Sequence, residues 1–431
     1  MEYIILFGYI VVFISLILCG RFFKSTQLSK KVLIGLFVIK LLFVGFYFSY
    51  YQDNNRFSDS KRFFKQAQTL HNTCFDKPKL FLNILTNISL GRDTQPAGVF
   101  GAIPIESLPY TLDYTHESRF VVHLTALLMF FTGQNYLVLL LTTAFLSFCG
   151  SVFLYKYFNP QNKTSQKLAL TACFIIPSTT FWTSGLSKEV LFFFFISATL
   201  FLINKCLYQK WTLSSVLLIC LSIGGMIYSK LHLLSIFLPL CVIYVFCHYK
   251  PKKLILKYIC GIFIFLFFSI IIHYVSYESF FDIWNAIQYQ NNHFIGMEQA
   301  SHADGQTDIY LPFLDGNPLG FLNAIPIALF NAIYYPSLQT TDIYHFCAGM
   351  ETLLFIGLLI NMVIGMFKRS MDNQSLFLLF FCLLSFIVIG LCTPNVGALC
   401  RYKSMCLPFL FYLSFFIGQN HIVTQSQEQP S

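Results

Sequence analysis

Charge is what this chain has least of. Only 11% of its 431 residues are Asp, Glu, Lys or Arg, where a soluble domain carries about 25%. A water-soluble fold of this length could not cover its surface with so few ionic groups. Hydrocarbon as solvent removes that demand, because apolar residues can then face outward. Cysteine motifs are missing as well. None of the 14 Cys sits in a CxxC pair, and Cys149, Cys173, Cys220, Cys241 and Cys260 lie inside apolar runs. They read as small buried hydrophobes, with no zinc site or disulfide framework visible. There is no Walker A loop, which argues against ATP as energy source. No internal repeat and no low-complexity tract occur.

What is abundant is apolar: 56% of residues are hydrophobic and 51 are Phe. Runs long enough to cross a bilayer at about 1.5 Å per residue occupy 3–19, 33–50, 135–155, 168–183, 188–206, 212–228, 232–248, 256–274, 348–366, 374–392 and 403–418. The first run follows acidic Glu2, precedes its basic residues and lacks a clear cleavage site. It reads as a retained helix, not a signal peptide.

The net charge of +9 sits in short loops between these runs. Membrane orientation explains that placement better than a nucleic-acid surface, so no nucleic-acid partner is expected. Basic residues fill alternate loops: Arg21 to Lys31, Lys156 to Lys167, Lys205 to Lys210, Lys250 to Lys257, and Lys368 with Arg369. The positive-inside rule makes these cytoplasmic. Loops 51–134, 184–187, 229–231, 275–347 and 393–402 then face outward. The N-terminus is outside and the 421–431 tail is a short cytoplasmic segment. This scheme requires that 119–133, with Arg119 and His123 in its first turns, lies along the outer interface. The expected fold is therefore all-α: one polytopic membrane domain over 1–420, about eleven transmembrane helices, and two long extracytoplasmic loops (51–134 and 275–347) containing interfacial helices. The first loop is irregular at its centre, around Gly91, Pro96, Gly98, Gly101, Pro104 and Pro109. The second has a polar tract from Gln288 to Asp308, then an apolar stretch that Pro326 and Pro336 break.

Several charged residues sit on the outer side. Asp59 opens a segment in which Phe63, Phe64, Ala67 and Leu70 recur at helical spacing. A carboxylate there is stabilised by the helix N-terminus, and either Asp59 or Ser58 serves as cap. It can also act as a general base above the membrane. Lys188 and Glu189 stand at the lip of two apolar helices, where charge is costly unless paired or functional. Arg401 opens the last run beside Tyr402 and Lys403, against the positive-inside trend. An outer Arg with a neighbouring Tyr suits a phosphate at headgroup level, or simple snorkelling. Arg119, His123, Lys230 and His232 complete a positive ring on the same face, though a lone His is more often a packed core residue. Lys40 lies within a span and is given no role beyond pairing or snorkelling.

The stretch Asp59-Ser60-Lys61-Arg62-Phe63-Phe64-Lys65-Gln66-Ala67 reads D-x-x-x-[FY]-x-x-x-A. It resembles the start of the first external loop in the GT-C superfamily of membrane glycosyltransferases. Pro177, Phe181, Ser184, Lys188 and Glu189 approximate a second motif of that family. Arg401, Tyr402, Pro408 and Phe409 are similar to a late one. The likeness runs in order and topology from about 60 to 420. Phe63 and Ser60 stand where the family usually has Tyr and an acid, and the run 3–19 precedes its usual first span.

The resemblance implies a polyprenyl-phosphate-linked sugar as donor, an extracytoplasmic acceptor and membrane lipids as surroundings, in the cytoplasmic membrane of a bacterium. Asp59 would be catalytic base or metal ligand, with Glu189 sharing a divalent ion (Mg2+ or Mn2+) or orienting the acceptor. Lys188 and Arg401 would neutralise the leaving phosphate. Other readings are an O-antigen or capsule polymerase, whose acceptor is itself lipid-linked, a transporter or flippase, and a purely structural membrane protein. Transporters place polar residues near mid-membrane, and the spans here read as largely free of carboxylates.

Overall fold

Helix is the only regular structure among the described residues of this computed structural model, which are 2–52, 58–86, 116–275, 282–301, 309–311, 314, 318–338, 343–367 and 371–415. Backbone groups in hydrocarbon must be satisfied within the segment, and helices do this. Among the described residues, seven helices are long and apolar enough to cross a membrane: Lys30–Gln52, Tyr136–Phe158, Lys188–Tyr208, Leu231–Tyr249, Leu254–Val275, Ile343–Met366 and Asn373–Cys392. Each matches an apolar run in the sequence. The helices over 4–19, 119–132, 213–227 and 320–334 are apolar but shorter. The Leu254–Val275 helix leaves Phe263, Ile264, Phe267 and Phe268 exposed. Such a surface is tolerable in lipid and costly in water.

Two of the expected spans are not single helices. The 168–183 run divides into the helix Lys163–Leu170, a π turn Thr171–Ile175, and the helix Pro177–Trp182. Pro177 disfavours a helical residue before it, and Ile176 is extended at φ −55, ψ 117. The 403–418 run starts as the end of the helix Val396–Lys403, turns at 404–406, and resumes as helix over 407–415.

The chain packs as two compact units. The first comprises 1–157, 180–201 and 216–230. In it the first outer loop is helical over Asp59–Asp76, Pro78–Thr86 and His116–Thr132. Phe63, Ala67 and Leu70 on one helix and Val121, Val122, Ala126 and Met129 on another share a core with Leu139, Leu140, Leu186 and Leu191. His71 Nδ1 meets the Ala126 carbonyl at 3.1 Å, fixing the two loop helices together. The glycines and prolines at 91–109 lie outside the described residues.

The second unit comprises 158–179, 202–215 and 231–431. Here the polar tract of the second outer loop is largely helical, as Ile283–Ser301, with Asp308 outside the described residues. Pro326 does not break the apolar stretch, which runs through it as the helix Pro318–Tyr334. That helix passes very close to Asn373–Cys392. A Cβ on Gly390 would lie 2.1 Å from the Ala328 carbonyl oxygen, so only glycine fits. Asp282 caps the Ile283–Ser301 helix, accepting from Trp284 N and Asn285 N at 3.1 Å, and meets His273 Nδ1 at 2.8 Å. Lys368, Arg369 and the 421–431 tail lie outside the described residues.

Candidate functional site

The first unit brings several of the sequence-predicted residues together around two helix N-termini. Ser58 is the cap of the Asp59–Asp76 helix, accepting from Lys61 N at 3.3 Å. Asp59 is thereby spared the capping role. It sits in the first turn, where the helix dipole favours a negative charge, and lies 3.3 Å from Arg62 with about a quarter of each side chain exposed. The next residue, Ser60, is fully buried. Its hydroxyl accepts from Leu186 N at 3.3 Å and meets the Tyr136 hydroxyl at 2.9 Å. Leu186 is three residues before Glu189. The start of the Asp59 helix is therefore fastened to the turn that starts the Lys188–Tyr208 helix.

That turn is held from several sides. Lys40, deep in the Lys30–Gln52 helix, donates to Thr183 Oγ1 at 2.8 Å and to the Thr180 carbonyl at 3.1 Å. These bonds supply the pairing that a charge within a span requires. Ser147 donates to the Thr183 carbonyl at 2.7 Å. Gly185 lies against the Tyr47 ring so closely that a Cβ would come within 2.2 Å of it.

Glu189 is buried in the first turn of its helix, and its partner comes from a distant stretch. Its carboxylate lies 3.0 Å from Lys230 Nζ, with 2% and 0% of the two side chains exposed. Lys188, beside it in sequence, is half-buried. The Phe120 ring stacks 5.7 Å from that of Tyr228, two residues before Lys230. This places the turn carrying Arg119 next to the segment carrying Lys230. Arg119 and His123 are half-buried and lie one turn apart on their helix. Burial, and then the Arg119 charge, push the His123 imidazole below its ordinary value near 6.5.

In the second unit, the Arg401 guanidinium stands over the Tyr402 ring at 5.5 Å, and the His232 and Tyr402 rings are 6.0 Å apart. Arg401 is half-buried while Tyr402 and His232 are buried. Lys403, beside them, is buried and donates to the Tyr335 carbonyl at 2.5 Å.

Glu351 is the residue that the sequence reading passed over. It is a buried carboxylate inside the span Ile343–Met366, an exception among spans that read as largely free of carboxylates. It accepts from Ser178 Oγ at 2.6 Å and Ser178 N at 3.0 Å, satisfying the start of the Pro177–Trp182 helix. An acid near the start of an apolar run was itself the available signal.

Among the described residues, each of the two acids lies against a cation. A hard cation needs several convergent oxygen ligands. Here Asp59 lies against Arg62 and Glu189 against Lys230. Among the described residues no three His, Cys, Asp or Glu side chains gather as a metal-binding set.

No family model, curated protein or solved structure matches this chain.

Proposed function

We propose that this chain is a membrane glycosyltransferase. It moves a sugar from a polyprenyl-phosphate-linked donor to an acceptor outside the cytoplasmic membrane, in cell-envelope polysaccharide or glycoconjugate synthesis. The Ser60–Leu186 hydrogen bond carries the reading. It ties the N-terminus bearing Asp59 to the N-terminus bearing Glu189, two carboxylates from remote stretches of an apolar chain.

The two acids have different environments and so different roles. Asp59 is reachable by solvent and by an acceptor, and it serves as general base. The acceptor hydroxyl attacks the sugar's anomeric carbon. Asp59 takes the hydroxyl proton, and the electrons of the breaking carbon–oxygen bond leave with the polyprenyl phosphate. Glu189 is charge-compensated by Lys230 and shielded from solvent, so it positions the site. Lys188 and Arg119 are the half-buried cations that meet the leaving phosphate, whose charge grows as the bond breaks.

The test is transfer of labelled sugar from a polyprenyl-phosphate hexose by membranes containing wild-type or Asp59→Asn protein. Loss of transfer in the variant, with folding retained, supports the reading. An O-antigen polymerase would survive Asp59→Asn and fail with the arginines. One observation favours transport as a second reading: Glu351 lies inside a span and contacts the start of a broken helix. Substrate uptake into vesicles that depends on Glu351, without sugar transfer, would decide for it.

A further inference from the structure

Gln66 is a buried amide that the mechanism above does not use. It is 1% exposed, and neither its Nε2 nor its Oε1 has a hydrogen-bond partner. Buried polar groups without partners are rare, and each one needs an explanation. Its position supplies one. At about 100° per residue, Gln66 falls about 20° around the helix axis from Asp59 and about 40° from Arg62. The Asp59–Arg62 ion pair lies along the same stripe. Phe63, Ala67 and Leu70 form the neighbouring, fully apolar stripe, packed in the core that includes Leu186 and Leu191. Gln66 thus sits at the border between the helix's core face and its acid-bearing face, two turns below Asp59.

We infer that Gln66 is a sugar-binding residue, one whose side-chain amide opens to exchange hydrogen bonds with hydroxyls of the transferred sugar. An amide carries two donors and an acceptor, which matches a vicinal pair of hydroxyls. A site built to pair such groups rejects ligands that lack them, because its own polar atoms are then left unpaired. Gln66 therefore selects for the sugar, while the cations select for the lipid phosphate. This inference rests on the transferase reading and names a specificity residue within it.

The experiment uses the full chain in detergent, with Gln66→Leu and Asp59→Asn as variants. Thermal stabilisation is measured with polyprenyl phosphate alone and with a panel of polyprenyl-phosphate hexoses and N-acetylhexosamines. The expected result is that one sugar lipid stabilises the wild type more than polyprenyl phosphate does. Gln66→Leu should lose that sugar-dependent increment while keeping the increment due to the phosphate, and the KM for the sugar lipid should rise at least tenfold. Retention of the sugar increment in Gln66→Leu overturns the inference and leaves the transferase reading standing. No sugar increment with any panel member in the wild type overturns both. If Gln66→Leu fails to fold, Gln66→Met serves in the same comparison, with the same outcomes.

Discussion

The Glu189 carboxylate and the Lys230 ammonium stand 3.0 Å apart, and solvent reaches almost none of either. Two charges removed from water together must compensate each other, because each alone carries an effective penalty of several kcal/mol. Glu189→Leu or Lys230→Met strands one charge and should cost about 3–5 kcal/mol. The double variant Glu189→Leu/Lys230→Met removes both and should recover most of that loss, since an apolar replacement of a buried pair is often neutral. Thermal unfolding in detergent, run as a double-mutant cycle, measures the coupling. Additive losses in the cycle would mean that the pair does not couple.

Asp59 and Arg62 give the opposite balance. Their side chains are about a quarter exposed and one turn apart. Solvent screening leaves such a pair about 0.2–0.5 kcal/mol. Asp59→Asn should therefore shift unfolding hardly at all, yet abolish sugar transfer. A melting curve and a transfer assay on the same preparation separate the two effects. Transfer at the wild-type rate would remove Asp59 as base.

Much of this arrangement was legible in the sequence because the bilayer fixes span length and the loops carry the charge. The apolar runs locate the seven long helices, and Asp59, Lys188, Glu189, Arg119 and Lys230 stand out as charges at span edges. Their pairing was not legible. Glu189 lies next to Lys188 in sequence, but Lys230, its buried partner, arrives from another turn. Lys40 looked like an isolated charge until Thr180 and Thr183 were brought to it. The break before Pro177 was available from that proline alone. Gln66 was hidden by a hydrophobic pattern that draws the eye to Phe63, Ala67 and Leu70.

The turn before Glu189 depends on a missing side chain. Gly185→Ala would drive a methyl group to within 2.2 Å of the Tyr47 ring, in a buried cluster where rings of Tyr51 and Phe181 pack on Tyr47. Overpacking of this kind costs about 1–3 kcal/mol. It should also reduce transfer by displacing Glu189. Combining Gly185→Ala with Tyr47→Leu clears the clash and should return part of both losses. If the double variant is less stable than the sum of its parts, the clash is not the cause.

His123 makes stability depend on pH in a defined direction. Its folded imidazole titrates below the ordinary value near 6.5, through burial and the nearby Arg119 charge. The unfolded chain therefore binds more protons in the window from about 6.5 down to the depressed folded value, so stability falls as pH falls through that window. Above about 6.5 the contribution is complete and flat. His123→Gln should remove this slope, and Arg119→Gln should reduce it. Unfolding midpoints between pH 5 and 8 check the sign, and a slope unchanged in His123→Gln would assign it to another group.

Glu351 tests whether the acid inside a span is there for its shape or its charge. Its two oxygens receive the Ser178 N–H and hydroxyl, and the Lys403 ammonium lies within electrostatic reach. Glu351→Gln keeps one acceptor oxygen for the start of the Pro177–Trp182 helix but removes the negative charge facing Lys403. Glu351→Leu removes both and leaves the Ser178 donors unsatisfied, a loss of roughly 1–3 kcal/mol for the unmet hydrogen bonds alone. If capping is the main contribution, Gln should be the milder change by about that amount. If the charge dominates, Gln and Leu should destabilise alike, and adding Lys403→Met to Glu351→Gln should recover stability, since it removes the cation left behind. Unfolding midpoints of the four proteins distinguish these outcomes, and a Glu351→Leu protein as stable as the wild type would show that the broken helix does not need its carboxylate.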